Sequence, residues 1–238
     1  MTQEFEGDLQ GAVFWGADLR GARFRDVDLT GARISHAAVV NVEIDAFVDA
    51  LVVNGVDVTA YVNERDAWYP LRAMLQPADP VGMRATWAAL EDAWAKTVSR
   101  AQALPQAMVY ESVNDEWSFV QTVRHLVFAM DKWFTAPVLG EGLHPIGLPN
   151  TGSVDLPWPG LDYDLTPSLD DALAVRADRV SRFRAFLASI APTELARTVD
   201  VLENGAHSLA DCIGVVFEEE FWHNRYAQRD LSQLEAER

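Results

Sequence analysis

The sequence predicts a mainly α-helical protein: an up-down four-helix bundle preceded by a short square coil. Three observations predict it. From residue 7 to 45, large apolar residues recur every five positions: Leu9, Phe14, Leu19, Phe24, Leu29, Ile34, Val39 and Ile44. A period of five fits neither a helix (3.6) nor a strand (2), but it fits a coil with one inward side chain per side. Beyond residue 59, apolar residues recur at helical spacing. One connection between these stretches, Gly140 to Pro167, is long and rich in Gly and Pro, so the bundle has a single crossover.

In the coil, a small residue (Gly7, Ala12, Ala17, Ala22, Ala32 or Ala37) stands two places before most apolar centres, where walls come close. Gly16-Ala-Asp-Leu-Arg20 resembles the pentapeptide-repeat family, Ala-(Asp/Asn)-Leu-x-x. Asp18 and Asp28 hold the polar position, and Val13, Arg23 and Arg33 depart from it. The resemblance implies a short right-handed β-helix. Four repeats make a coil, so eight make two, a stack roughly 10 Å tall at about 4.8 Å per layer. A stack so short needs a cap or a docking surface. Asn54-Gly55 between Leu51-Val-Val and Val-Asp-Val58 predicts a tight hairpin that caps the coil, and Thr59 is placed to N-cap the next helix. The expected division is residues 1–50 for the coil, 51–59 for the linking hairpin and 60–238 for the bundle.

Helices are expected at 60–76, about 81–103 with Trp87, Leu90, Trp94 and Val98 inward, 116–137 with Asn114 or Asp115 as cap, 168–190, and about 208–236. Asn204-Gly205 predicts a second hairpin, and Ser208 with Asp211 has the spacing of a capping box.

Composition narrows the function. The formal net charge of −17 disfavours binding to nucleic-acid phosphate. No apolar run approaches the ~20 residues of a membrane helix. The acidic start Met1-Thr-Gln-Glu is unlike a secretion signal, and the single Cys212 excludes an intrachain disulfide. A cytoplasmic protein is expected.

The chemistry concentrates on the last helix. Cys212, Val216, Glu219, His223 and Ala227 share one stripe, so Glu219 and His223 interrupt an apolar face. A buried carboxylate there needs an ion pair or a metal. Alternatively, Glu219 faces outward within a solvated run Glu218–Glu220 and His223 is a hydrogen-bonded core residue. Glu220, three residues before His223, is a rival ligand. On the 116–137 helix His125 lies at the margin of the stripe Val120, Val123, Val127, Met130 and Phe134. Cys212 reads as a buried packing thiol.

Trp117-Ser-Phe-Val-Gln-Thr-Val-Arg-His125-Leu and Glu219-Glu-Phe-Trp-His223-Asn-Arg-Tyr-Ala-Gln-Arg-Asp-Leu231 resemble the two signature segments of the DinB superfamily, over roughly residues 60–234. That superfamily includes mycothiol-dependent maleylpyruvate isomerases and bacillithiol-type S-transferases. The resemblance implies a four-helix bundle holding a divalent metal, zinc or alternatively nickel, on His125, Glu219 and His223. It implies a thiol cosubstrate such as mycothiol attacking a small electrophile, in a transferase or isomerase reaction. His144, Trp158 and Arg225 are the expected substrate contacts. A competing reading is an acidic interaction protein of the DNA-mimic type with a non-catalytic bundle, since some pentapeptide-repeat proteins bind topoisomerases. Arg20, Arg23, Arg25 and Arg33 dilute the acidity that such mimicry needs. The coil is expected to dock instead, in a homodimer.

Overall fold

The computed structural model describes residues 5, 7–24, 27–150 and 158–236. Arg25 and residues 151–157 of the long connection lie outside the described residues. The chain forms two compact units, Met1–Ala46 and Phe47–Arg238.

The first unit is a run of corners. Gly11, Gly16, Gly21, Gly31, His36 and Asn41 all have left-handed backbone, with φ between 54 and 77°. These positions sit two residues after six of the eight apolar centres, in register with the period of five, which is the spacing of a quadrilateral coil. Hydrogen bonds follow a period of ten. Ala12, Ala22 and Ala32 N–H donate to the carbonyls of Leu9, Leu19 and Leu29, at 2.9, 3.0 and 2.9 Å. At the same corners the carboxylates of Asp8, Asp18 and Asp28 accept from Gln10, Arg20 and Thr30 N–H. The departures Val13, Arg23 and Arg33 therefore alternate with the aspartates because only every second corner uses one. No strand is assigned among the described residues of this unit. The eight apolar centres, expected inside, keep 47 to 79 % of their surface exposed. A stack of two layers leaves each layer covered on one side at most.

The second unit opens with the expected hairpin, β1 (Val52–Val53) against β2 (Val56–Asp57). Asn54 and Gly55 take φ of 50° and 82°, as a two-residue turn of this hand requires. Thr59 does not cap. It is the first residue of α1 (Thr59–Asn63), its N–H goes to Asp57 Oδ1, and its hydroxyl accepts from Leu51 N–H at 2.8 Å. The single helix expected at 60–76 is two short ones, α1 and α2 (Tyr69–Arg72). Between them Asp66 accepts from Trp68 N–H at 2.9 Å, and Pro70 supplies no N–H to continue a helix through 66–70.

Four long helices follow. Helix α3 (Pro80–Gln102) is capped by Asp79, which accepts from Gly82 N–H at 2.8 Å. Helix α4 (Phe119–Met130) begins at Ser118, not at Asn114 or Asp115. Ser118 and Gln121 cap each other reciprocally, whereas Asn114 and Asp115 turn the chain with φ of 54° and 60°. It continues through a π turn (Asp131–Thr135) into α5 (Ala136–Leu139), ended by Gly140 at φ 72°. Helix α6 (Leu169–Ser189) is capped by Ser168. The second hairpin joins β3 (Thr198–Val201) to β4 (Gly205–Ser208), and α7 (Leu209–Ala236) starts on the expected Ser208–Asp211 box.

Helices α3 and α4 each pack on both α6 and α7. The core has two layers. One joins Trp94 and Ala101 of α3 to Val120 and Val123 of α4, Ala172 of α6 and Leu231 of α7. The other joins Trp87, Met130, Phe183 and Phe217. The late part of α3 and of α7 thus meets the early part of α4 and of α6, so the helices run up, down, down, up. The long connection is what returns the chain between the parallel α4 and α6. Helix α4 is wrapped on nearly every side: from Phe119 to Asp131 only Gln121 escapes full burial.

Candidate metal centre

Wrapping of α4 places His125 inside the bundle rather than at a margin, with 1 % of its surface exposed. Its Nδ1 lies 2.9 Å from the carbonyl oxygen of Leu148, in the long connection. A carbonyl only accepts, so Nδ1 carries the proton and Nε2 presents its lone pair. That lone pair faces Glu219 Oε2 of α7 at 3.2 Å. The same Oε2 is 3.1 Å from Nε2 of His223, one turn further along α7. One ligand atom from each of the three residues lies within 4.8 Å of the others.

Two imidazole nitrogens converging on one carboxylate oxygen repel unless a cation stands among them, either protons or a metal ion. The spacing suits a metal. Ligand bonds of 2.0–2.1 Å at tetrahedral angles put neighbouring ligand atoms roughly 3.3 Å apart, close to the two distances observed here. The alternative in which Glu219 faces outward in a solvated run does not hold: its side chain is 25 % exposed and meets both imidazoles, and of the three glutamates only Glu218 is exposed. Burial pushes the Glu219 carboxyl up; where protons on the two Nε2 atoms are the cation, their hydrogen bonds and charge outweigh burial and hold the carboxyl well below the carboxylate range.

Glu220, the rival candidate, points away from the imidazoles. It is 2 % exposed and ion-paired with Arg176 of α6, whose guanidinium lies 4.6 Å from the Trp94 ring centre. Trp94 Nε1–H donates to the Glu220 carbonyl at 3.0 Å. A step of 100° along the helix turns this side chain from the imidazoles toward α6.

Aromatic rings surround the trio. Trp117 lies 4.6 Å from the His125 ring and stacks on His223 at 5.9 Å and 21°. Tyr226 meets His223 edge-on at 6.0 Å, and Phe128 is 6.1 Å from His125. Of the expected substrate contacts, Trp158 is 7 % exposed and packs edge-to-face on Phe128 at 5.0 Å, one ring removed from His125. His144 Nδ1 accepts from Ile146 N–H at 3.2 Å, and its own N–H donates to Asp131 at 2.8 Å. Both residues anchor the connection. Arg225 sits over the Trp222 ring at 5.8 Å. The Leu148 carbonyl escaped sequence reading because a backbone group carries no residue signature. Trp117 was visible only as part of a motif.

A family model for the DinB superfamily matches residues 89–227, and a model for pentapeptide repeats matches eight copies over residues 8–42. The first match covers more than half of the chain, which therefore belongs to the DinB superfamily. No curated protein and no solved structure gives a significant match.

Proposed function

We propose that this chain binds one divalent cation, zinc or alternatively nickel, on His125 Nε2, the Glu219 carboxylate and His223 Nε2. We further propose that it works on a low-molecular-weight thiol of the mycothiol kind, in a transferase or isomerase reaction with a small electrophile. The observation that carries the metal reading is Glu219 Oε2 at 3.2 and 3.1 Å from two imidazole nitrogens on different helices. Three protein ligands leave one position of a tetrahedron for an incoming molecule. A cation held there lowers the pKa of a thiol, so that thiolate is present at neutral pH.

The remaining work falls to the chain itself. The Leu148 carbonyl holds the His125 ring so that Nε2 points at Glu219. The rings of Trp117 and Tyr226 limit water around the imidazoles and offer a flat wall to an electrophile. Arg225 is the residue proposed to meet substrate, whereas His144 and Trp158 act by holding the connection in place. For the repeat unit the half-exposed apolar centres support a docking role, with a second copy of the chain as the proposed partner.

Elemental mass spectrometry on the purified protein tests the metal. One zinc or nickel per chain is expected, falling to near zero in His125→Ala and His223→Ala with the helical circular-dichroism signal kept. A wild-type protein that takes up no metal even on reconstitution overturns the reading. Turnover of electrophiles with and without thiol then tests the reaction.

A further inference from the structure

The residue before the buried histidine is itself unusual. Arg124 has 7 % of its surface exposed, and its Nη2 is buried without a hydrogen-bond partner. Burial pushes its pKa down, with Asp162 as the opposing charge. An almost fully buried guanidinium with an unsatisfied nitrogen is costly, and an aliphatic side chain at this position would avoid the cost.

What Arg124 does is hold the connection. Its Nε–H donates to the Ile146 carbonyl at 2.9 Å, and its own backbone carbonyl accepts from Leu148 N–H at 3.2 Å. The two bonds grip the stretch 146–148 at both ends, the second on Leu148 itself, whose carbonyl receives His125 Nδ1–H. The stretch also fits tightly. At Gly147 a Cβ would meet Leu161 Cδ2 at 3.0 Å, the His144 carbonyl at 3.2 Å and Phe128 Cβ at 3.3 Å, so any side chain there would press on α4 and on the connection's own backbone.

We propose that Arg124 is a positioning residue: by clamping residues 146–148 against α4 it sets the Leu148 carbonyl that orients His125 toward Glu219. Its effect on metal affinity rests on the function proposed above. Its effect on the His125 ring does not.

The test uses full-length wild type, Arg124→Met and Gly147→Val, with Phe183→Leu as a destabilised control in the distant core layer. Nitrogen-15 NMR of the metal-free protein reads the His125 tautomer and the exchange rate of Nδ1–H. Competition with a chromophoric chelator reads zinc affinity. Expected is a protected Nδ1–H in wild type and in Phe183→Leu, lost in Arg124→Met and Gly147→Val. In those two variants zinc binding should weaken by roughly 10–100-fold, the range for lost second-shell partners, with one zinc still bound at saturation. Unchanged Nδ1–H protection together with zinc affinity within about twofold of wild type would overturn the proposal. So would equal weakening in Phe183→Leu. If Arg124→Met does not fold, Arg124→Lys, which keeps the charge but not the planar donor, is read the same way. If wild type binds no zinc, the function above fails, and Nδ1–H protection alone decides the role of Arg124.

Discussion

Three consecutive glutamates on α7 meet three environments within one helical turn. Glu218 is exposed, Glu219 lies between two imidazoles, and Glu220 is buried against Arg176. The 100° step per residue is enough to separate a surface charge, a candidate ligand and an inter-helix ion pair. Cys212, two turns earlier, shows what the same helix does to a group without a polar partner. It packs with Val199 and Val201 at 1 % exposure, and burial pushes its thiol up to about 11 from 9.0. The sign of the consequence follows from linkage. Below pH 9 the thiol is neutral folded and unfolded, and its contribution is fully present. Between about 9 and 11 the unfolded chain ionises first, so stability is lost as pH rises. Urea unfolding of wild type and Cys212→Ala at pH 8 and 10.5 checks this. The wild type is expected to lose more stability over the interval, and equal losses would remove the thiol from the account.

At the scale of elements, the π turn at Asp131–Thr135 matters most. It turns Asp131 fully inward, with no exposed surface, toward Arg179 of α6 at 3.0 Å and His144 N–H at 2.8 Å. One carboxylate thereby joins α4, α6 and the start of the connection whose later residues hold His125. Removing it leaves Arg179, 11 % exposed at the side chain, with only the half-exposed Asp178 at 3.0 Å among the described residues. Asp131→Ala is expected to cost about 3–5 kcal/mol, the range for breaking one partner of a buried pair. Thermal or urea unfolding measures that cost. A loss below about 1 kcal/mol would mean that Asp178 alone satisfies Arg179. The capping signals illustrate the limits of local reading. Ser208–Asp211 was legible because the pattern abuts the apolar run. Asn114 and Asp115 offer the same cap signal as Ser118, because their side chains suit caps and left-handed turns equally.

For the whole molecule, the two units divide the chemistry unequally. His125, Glu219, His223, Arg124 and Leu148 all belong to Phe47–Arg238. A chain beginning at Phe47 is therefore expected to fold cooperatively and to bind metal with the stoichiometry of the full protein. Calorimetry and elemental analysis check both. Loss of metal in the shortened chain, with the fold intact, would place part of the site in the repeat unit. Among the described residues no helix is long and apolar enough to cross a membrane.

The sequence by itself determined the class of both units, the four long helices to within a few residues and both hairpins, and it brought forward His125, Glu219 and His223 as candidate ligands with Glu220 as a rival. The elements are written in local spacing: a period of five, a period of 3.6 and Asn-Gly turns. The candidate ligands rest on a Glu-x-x-x-His step together with the resemblance of two segments to the DinB signatures. Burial could not be read locally. The repeat centres are large and apolar yet half exposed, and the face of His125 is covered only because α6, α7 and the long connection close around α4. Tertiary structure alone set Glu219 beside the two imidazoles and Glu220 against Arg176, which arrives from another helix. It also supplied the Leu148 carbonyl, 23 residues away along the chain from His125. A hydrogen bond between a side chain and a distant backbone group has no period and no residue type, so only the folded chain can bring it about.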